Sequence, residues 1–308
     1  MIMAPKFEAP AFEALVAEQE AVQAEKFQGR LLEEYGRYVF PGQDWREPRS
    51  SAVTDFLRPV CIGERVSLDG VIRGLCDAKG DAPVRWIDMA GGRGLPMRQL
   101  TADAERRDHL VMTNVDLFDF GMEGLKPDEI AYLEDLAPGM TSDEAAPRFM
   151  QADVETVALP EPAELITTVE AMQYLNNPLA AISNWYNQLA DNGLLIISTE
   201  HDWASWIRYQ REPGQGDRDE TPAKHLLEAL QAGGVAYAAS AESDWESGFR
   251  PDLDPDRIRN MVIQKRPGTQ LVVNSPVTEV WVNPYNFKAA YYEEPTQGSR
   301  PVVEVVAA

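Results

Sequence analysis

Val84-Arg85-Trp86-Ile87-Asp88-Met89-Ala90-Gly91-Gly92-Arg93-Gly94 is the stretch on which the reading of this chain turns. Residues 84–88 form a short apolar run closed by an acid, which predicts a buried strand. The glycines at 91, 92 and 94 predict a sharp turn, and residues 95–107 carry helical spacing. Bare glycine lets main chain approach a ligand and take positive φ, and the start of the following helix offers unpaired N–H groups to a negative charge. Taken alone, the same turn is equally a tight strand-to-helix connection.

Outward from this point the pattern repeats. Further strands are predicted at residues 110–116, 149–154, 164–169 and 194–199. Between them lie a helix at 126–136, with Pro127 in its first turn, and another from the Asn177-Pro178 cap to 191, where Asn192-Gly193 turns the chain. A helix at 222–232, stopped by Gly233-Gly234, leads to strands at 235–240 and 258–265, and Pro267-Gly268 ends the series. Strands separated by helices require right-handed crossovers and parallel neighbours. The predicted fold is therefore α/β, a doubly wound, mostly parallel seven-stranded sheet with helices on both faces. Residues 81–266 form this domain.

Residues 1–80 read as an N-terminal helical cap. Apolar residues recur at helical steps over 11–39, Pro41-Gly42 ends that run, and a second helical stretch spans 51–76 with Pro59 inside it. An amphipathic face of this kind needs a partner, so the cap is expected to dock on the main domain. Residues 267–308 form a C-terminal extension in which 277–282 alternates like a strand and 293–308 reads as loose.

Composition narrows the function. The 28 basic residues stand against 50 acidic ones, and the formal charge of −22 opposes the counterion release that drives nucleic-acid binding. A nucleic-acid partner is disfavoured, and a small-molecule substrate is expected instead. Cys61 and Cys76 cannot build a disulfide framework or a four-thiolate zinc site, and the three histidines lack ligand spacing, so no metal is implied. With no long apolar run and no basic-then-apolar start, a soluble cytoplasmic protein without a membrane partner is expected. The sequence leaves a homo-oligomer open.

Two more acids stand at strand ends. Asp116 closes the second strand, where a carboxylate can accept from both ribose hydroxyls of an adenosine, and Asp153 follows the third, where it can accept from an adenine amino group. With these residues in place, the pattern over 84–200 resembles the class I S-adenosylmethionine-dependent methyltransferases, a Rossmann-like family, and the last helix and two strands resemble that family's closing strand pair. The resemblance implies S-adenosyl-L-methionine as cofactor. Asp88 would organise the turn and the cofactor's amino group, and Ala90, Gly91, Gly92 and Gly94 would form the turn, with Gly92 and Gly94 lining the methionine part. Asp116 would hold the ribose, Asp153 and Val154 the adenine. The segment 168–175, from Thr168 through Glu170 to Tyr174, resembles the one that closes over the cofactor and faces the acceptor.

The chain departs from the family pattern in three places. Ala90 replaces the first glycine, which is tolerable at negative φ; Glu164 replaces a common aspartate before the fourth strand; and the long interval from Asp88 to Asp116 leaves Asn114 and Asp119 open as ribose ligands. Methyl transfer needs an aligned acceptor and, for a protonated one, a base. The candidate catalytic residues are His201, Glu170 and Tyr174, with Glu200 beside them. No (Asp/Asn)-Pro-Pro-(Tyr/Phe) motif follows the fourth strand, and Asn283-Pro284-Tyr285 lies too far along to serve as one. Trp203, Trp206, Tyr209, Trp245, Trp281 and Tyr285 read either as an aromatic lid over the acceptor or as packing. The alternatives to a small-molecule methyltransferase are an inactive cofactor-binding scaffold and an NAD-dependent oxidoreductase, the latter opposed by Met97 where a dinucleotide fingerprint needs glycine.

Overall fold

The computed structural model describes residues 59–62, 64–92, 94, 97, 109–117, 147–199, 202–210, 221–240, 257–282, 288–296 and 298–308. The helices predicted at 11–39 and 126–136, most of the one at 95–107, and Asp119, Glu200, His201, Trp245 and 283–285 lie outside them.

The chain enters as a hairpin of β1 (Pro59–Ile62) and β2 (Glu64–Ser67), antiparallel in register Pro59 to Ser67, followed by α1 (Leu68–Lys79). This corrects the helical reading of 51–76. Val60 and Ile62, spaced by two in β1, and Val66 in β2 are β-branched, a pattern that the neighbouring helical spacing obscured.

The main sheet then follows from β3 (Val84–Met89), β4 (Leu110–Asp116), β5 (Arg148–Gln151), β6 (Ala163–Val169), α2 (Pro178–Asn187), β7 (Leu189–Ser198), β8 (Ile207–Tyr209), α3 (Pro222–Ala232), β9 (Tyr237–Ser240) and β10 (Asn260–Gln264). Seven of these strands pair in the order β5-β4-β3-β6-β7-β10-β9. All the pairings are parallel except those of β10, which runs antiparallel to both β7 and β9. The doubly wound, mostly parallel seven-stranded sheet and its closing strand pair are as the sequence predicts.

Alternation along the strands divides the core. Val84, Trp86, Met112, Leu165 and Ile196 face one side with Val71 and Ile72 of α1 and with Met97. Ile87, Val115, Ile166 and Ile197 face the other, with Ile182 and Trp185 of α2 and Leu226 and Leu230 of α3. Each such side chain contributes about 1.5–3 kcal/mol by leaving water. Asn177 caps α2 by accepting from Ala180 N–H, and Thr221 caps α3 by accepting from Lys224 N–H, each with proline at the first helical position.

Some boundaries move. The helix predicted to 191 stops at Asn187, and β7 begins before the Asn192-Gly193 turn rather than after it. The pairing with β6 jumps from Ala163–Leu189 to Leu165–Leu194, and Asn192 takes φ +65° in the slack. Beyond the sheet, β11 (Thr269–Val273) pairs with β14 (Val303–Ala307), and β12 (Val277–Val282) and β13 (Lys288–Tyr292) join β8 in a three-stranded sheet. The segment expected to be loose is therefore ordered over its last strand, where Val302 and Val303 are buried. Its alternation is short, and its pairing partner lies some thirty residues away, which a local reading does not reach. No helix among the described residues is long and apolar enough to cross a membrane.

Glu164 is structural. It stands at the end of β6 remote from the strand tips, accepts from Lys79 Nζ of α1 at 2.6 Å and from Arg85 N–H at 2.8 Å, and is buried. Burial raises its pKa, but those bonds and the charges of Lys79 and Arg85 outweigh it and hold the carboxyl below its usual value of 4.5. The stability it contributes is present above that value and lost as pH falls through the lowered one. Glu164→Ala strands the Arg85 N–H and is expected to cost about 1–3 kcal/mol, with Lys79, half in water, contributing little. Chemical denaturation at neutral pH measures it, and a change under about 0.5 kcal/mol would refute this role.

Candidate functional site

Sheet order reverses at β3, whose neighbours are β4 on one side and β6 on the other. In open α/β sheets the ligand crevice opens at such a switch point, beyond the strands' carboxyl ends. β3 exits there into the Ala90–Gly94 turn, β4 into Asp116, β6 into Glu170 and β7 into Thr199, so the structure brings the predicted turn and its acids to one edge.

The turn is built around bare backbone. Ala90, Gly92 and Gly94 have φ of +58°, +55° and +67°. Ala90 N–H donates to Val115 O at 2.7 Å and Gly94 N–H to Gly91 O at 2.9 Å. The condition under which alanine would be free of strain, a negative φ, is not met: the turn needs a left-handed residue there, and alanine takes it at a cost of about 1–2 kcal/mol. Ala90→Gly is therefore expected to stabilise the protein by about 0.5–1 kcal/mol after glycine's extra unfolded freedom is subtracted, read by chemical denaturation. A loss of stability would show that Ala90 carries no such strain.

Beneath the turn runs a row of polar side chains. Asp88 is paired in register with Asn114 on one side and Thr167 on the other. Thr167 Oγ1 accepts from Trp86 Nε1 and donates to Asp88 Oδ1, both at 2.8 Å. Asn114 Nδ2 donates to Gly92 O at 2.5 Å, and Gly92 N–H donates to Asp116 Oδ2 at 2.9 Å. Asn114 is 1% exposed, shut in under the turn, whereas Asp116 is half-buried at the strand tip. Burial pushes the Asp88 carboxyl up to about 8, the Thr167 hydroxyl opposing and the Asp116 charge adding.

The remaining sequence candidates divide. Asp153 caps its own turn, accepting from Glu155 N–H at 2.9 Å and from the Thr156 hydroxyl. Val154 has its side chain in the core and its carbonyl on Trp185 Nε1. Thr168 is fully buried, and its hydroxyl has no partner among the described residues. Glu170 takes φ +55°, its N–H on Ser198 O and its carbonyl accepting from Gln173 Nε2. Tyr174, 39% exposed, is presented on a short 3-10 turn (Met172–Tyr174) just beyond. Trp203, Trp206 and Tyr209 are buried in the core and pack the sheet rather than forming a free lid wall.

Sequence reading missed the residues that fasten the segment after β6. Glu155 accepts from the N–H groups of Asn176 and Asn177, each at 2.7 Å, and its carboxyl lies above its usual value because burial outweighs those bonds. Lys288 Nζ donates to Asn176 Oδ1 at 2.7 Å, and the Tyr292 hydroxyl donates to Asn177 Oδ1 at 2.5 Å while accepting from Leu179 N–H. Burial raises the Tyr292 pKa, so the phenol stays neutral. Strand β13 thereby anchors the segment after β6. The signal available was Asn177 itself, a cap whose side chain also meets Tyr292, 115 positions away.

No protein-family model matches the chain, and no curated protein does. Among solved structures it is similar to the plantazolicin methyltransferase BpumL in complex with SAH, at 11% identity over 83% of this chain and 99% of that one, with a TM-score of 0.42. It is similar too to CalS10, an amino pentose methyltransferase from Micromonospora echinaspora, at 17% identity over 86% and 100% with a TM-score of 0.36. The N-methyltransferase NodS from Bradyrhizobium japonicum gives 14% identity over 76% and 97%, also at 0.36. Similarity at this level decides nothing about chemistry; the Rossmann-like fold stands on the strand order and pairing above.

Proposed function

We propose that the chain is an S-adenosyl-L-methionine-dependent methyltransferase acting on a small-molecule acceptor. The observation that carries the reading is the left-handed, nearly side-chain-free turn at the switch point, with Asp116 at the next strand tip already oriented by Gly92 N–H. The residues fit the cofactor's chemistry: main chain at 92 and 94 for the amino-acid part, the Asp116 carboxylate for the ribose, residues 152–154 beside the adenine. When bound, the cofactor supplies a methyl group activated on a sulfonium.

The chain's own residues then have two tasks, alignment of the acceptor and removal of its proton where it carries one. Glu170 and Tyr174 stand on the anchored segment after β6, and His201 follows β7 in sequence; these remain the candidate base and positioning groups. Met97 is fully buried against α1 and the sheet, where a dinucleotide turn needs a glycine for close approach, and this opposes the oxidoreductase reading. The formal charge of −22 opposes a nucleic-acid acceptor.

Calorimetry with S-adenosylmethionine and S-adenosylhomocysteine tests the cofactor, and release of S-adenosylhomocysteine over a panel of amines, phenols and carbon acids tests the reaction. Binding of neither ligand refutes the proposal; binding without turnover across the panel turns it toward a scaffold.

A further inference from the structure

Asp88 Oδ2 and Asn114 Oδ1 are both buried, and neither has a hydrogen-bond partner among the described residues. They converge on one place: a Cβ on Gly91 would lie 2.3 Å from the first and 2.0 Å from the second. Two oxygens that only accept, facing each other under a turn, are an unfavourable arrangement in a dry interior.

Turning the Asn114 amide over does not resolve it. Its Nδ2 donates to Gly92 O at 2.5 Å, so exchanging the two atoms would press one oxygen against another at the turn. Thr167 cannot help, since its one hydroxyl proton goes to Asp88 Oδ1 while its oxygen accepts from Trp86. The row has three acceptors to satisfy around Asn114 and one amide to do it, and it lacks one donor.

We propose that Asp88 is a neutral carboxylic acid whose Oδ2–H donates to Asn114 Oδ1, and that this proton fastens the glycine turn from below. Asp88 and Asn114 are then positioning residues, acting on a ligand through the backbone of residues 91–92. The charged group facing Asp88 among the described residues is Asp116 on β4, whose carboxylate favours the neutral acid; β6 contributes the uncharged Thr167. Burial, the larger influence, acts in the same direction, and the carboxyl ionises at about 8. A folded value above the usual 3.8 means that the native state holds a proton the unfolded chain gives up. The stability that Asp88 contributes is therefore fully present below 3.8 and declines as pH rises towards 8.

The proton itself is read without any substitution. In protein labelled with 13C at aspartate carboxyls, one carboxyl resonance is expected to remain that of a neutral acid at about pH 6 and to titrate near 8, and it should vanish in Asp88→Asn. Ionisation of every aspartate by about pH 6 overturns the proposal. The effect on the turn rests on the cofactor reading above. S-adenosylhomocysteine affinity of the wild type is expected to fall by about tenfold between about pH 6 and pH 9, and Asp88→Asn, which keeps a neutral donor, should give a flat profile and bind more tightly than Asp88→Ala. An Asn variant as weak as the Ala variant overturns the positioning role. A neutral carboxyl in a protein that binds no S-adenosylhomocysteine upholds the proton and refutes the cofactor; tight binding with Asp88 ionised does the reverse.

Discussion

Gly91→Ala is expected to lower affinity for S-adenosylhomocysteine by at least about 100-fold, roughly 2.7 kcal/mol, and to destabilise the fold by about 1–3 kcal/mol. Backbone conformation is not the cause, because Gly91 lies outside the left-handed region that its neighbours occupy. Space is. The added methyl carbon would fall 2.0 Å from Asn114 Oδ1, 2.3 Å from Asp88 Oδ2 and 2.8 Å from Asp88 Cγ, closer than real contacts permit. Neither neighbour yields cheaply: Asp88 is tied to Thr167, and Asn114 to Gly92 O. Moving Asn114 releases Gly92, so the strain passes directly into the main chain proposed to hold the ligand. Ala90→Gly, one position earlier, has the opposite expected sign, which makes the pair a control for general fragility of the turn. Calorimetric affinity within about threefold of wild type would show that the turn relaxes freely and does not set the site.

What the sequence discloses about this region depends on the range of the interaction involved. The seven strands and their alternation with helices are readable because period and punctuation are local, and the glycines with Asp116 stand out because each occupies a strand end. The inner row is less legible. Asn114 and Thr167 sit within apolar strands, and only the parallel register places both beside Asp88. Knowing that register requires the strand order first. Ala90 misleads for a different reason: its residue type favours negative φ, and the surrounding turn overrides that preference. Glu155, Lys288 and Tyr292 are illegible altogether, because their partners Asn176 and Asn177 lie from 21 to 115 residues away and nothing in a charge or hydropathy pattern connects them. The hairpin at residues 59–67 shows the limit on periodicity: strands of four residues are too short to outweigh a helical pattern that continues beyond them.

Asp116→Ala is expected to weaken cofactor binding by about 100- to 1,000-fold, since a hydrogen bond to a charged group contributes about 1.5–3 kcal/mol and this carboxylate would make two to the ribose. It also orders the turn through Gly92 N–H. Asp116→Asn separates the two contributions. Its amide oxygen can still accept from Gly92, preserving the turn, whereas the charge that strengthens the ribose bonds is gone, so an intermediate loss of about tenfold is expected. The same substitution acts on Asp88. Because the Asp116 charge is one of the influences raising the Asp88 carboxyl, neutralising it should move that ionisation down from about 8, though burial keeps it well above the usual 3.8. Affinity and the Asp88 titration are thus two readouts of one side chain. A weakened affinity with an unmoved Asp88 resonance would place Asp116 at the ribose but too far from Asp88 to influence it. A near-normal affinity in Asp116→Ala would remove the ribose assignment, and with it the orientation of the nucleoside across the strand tips.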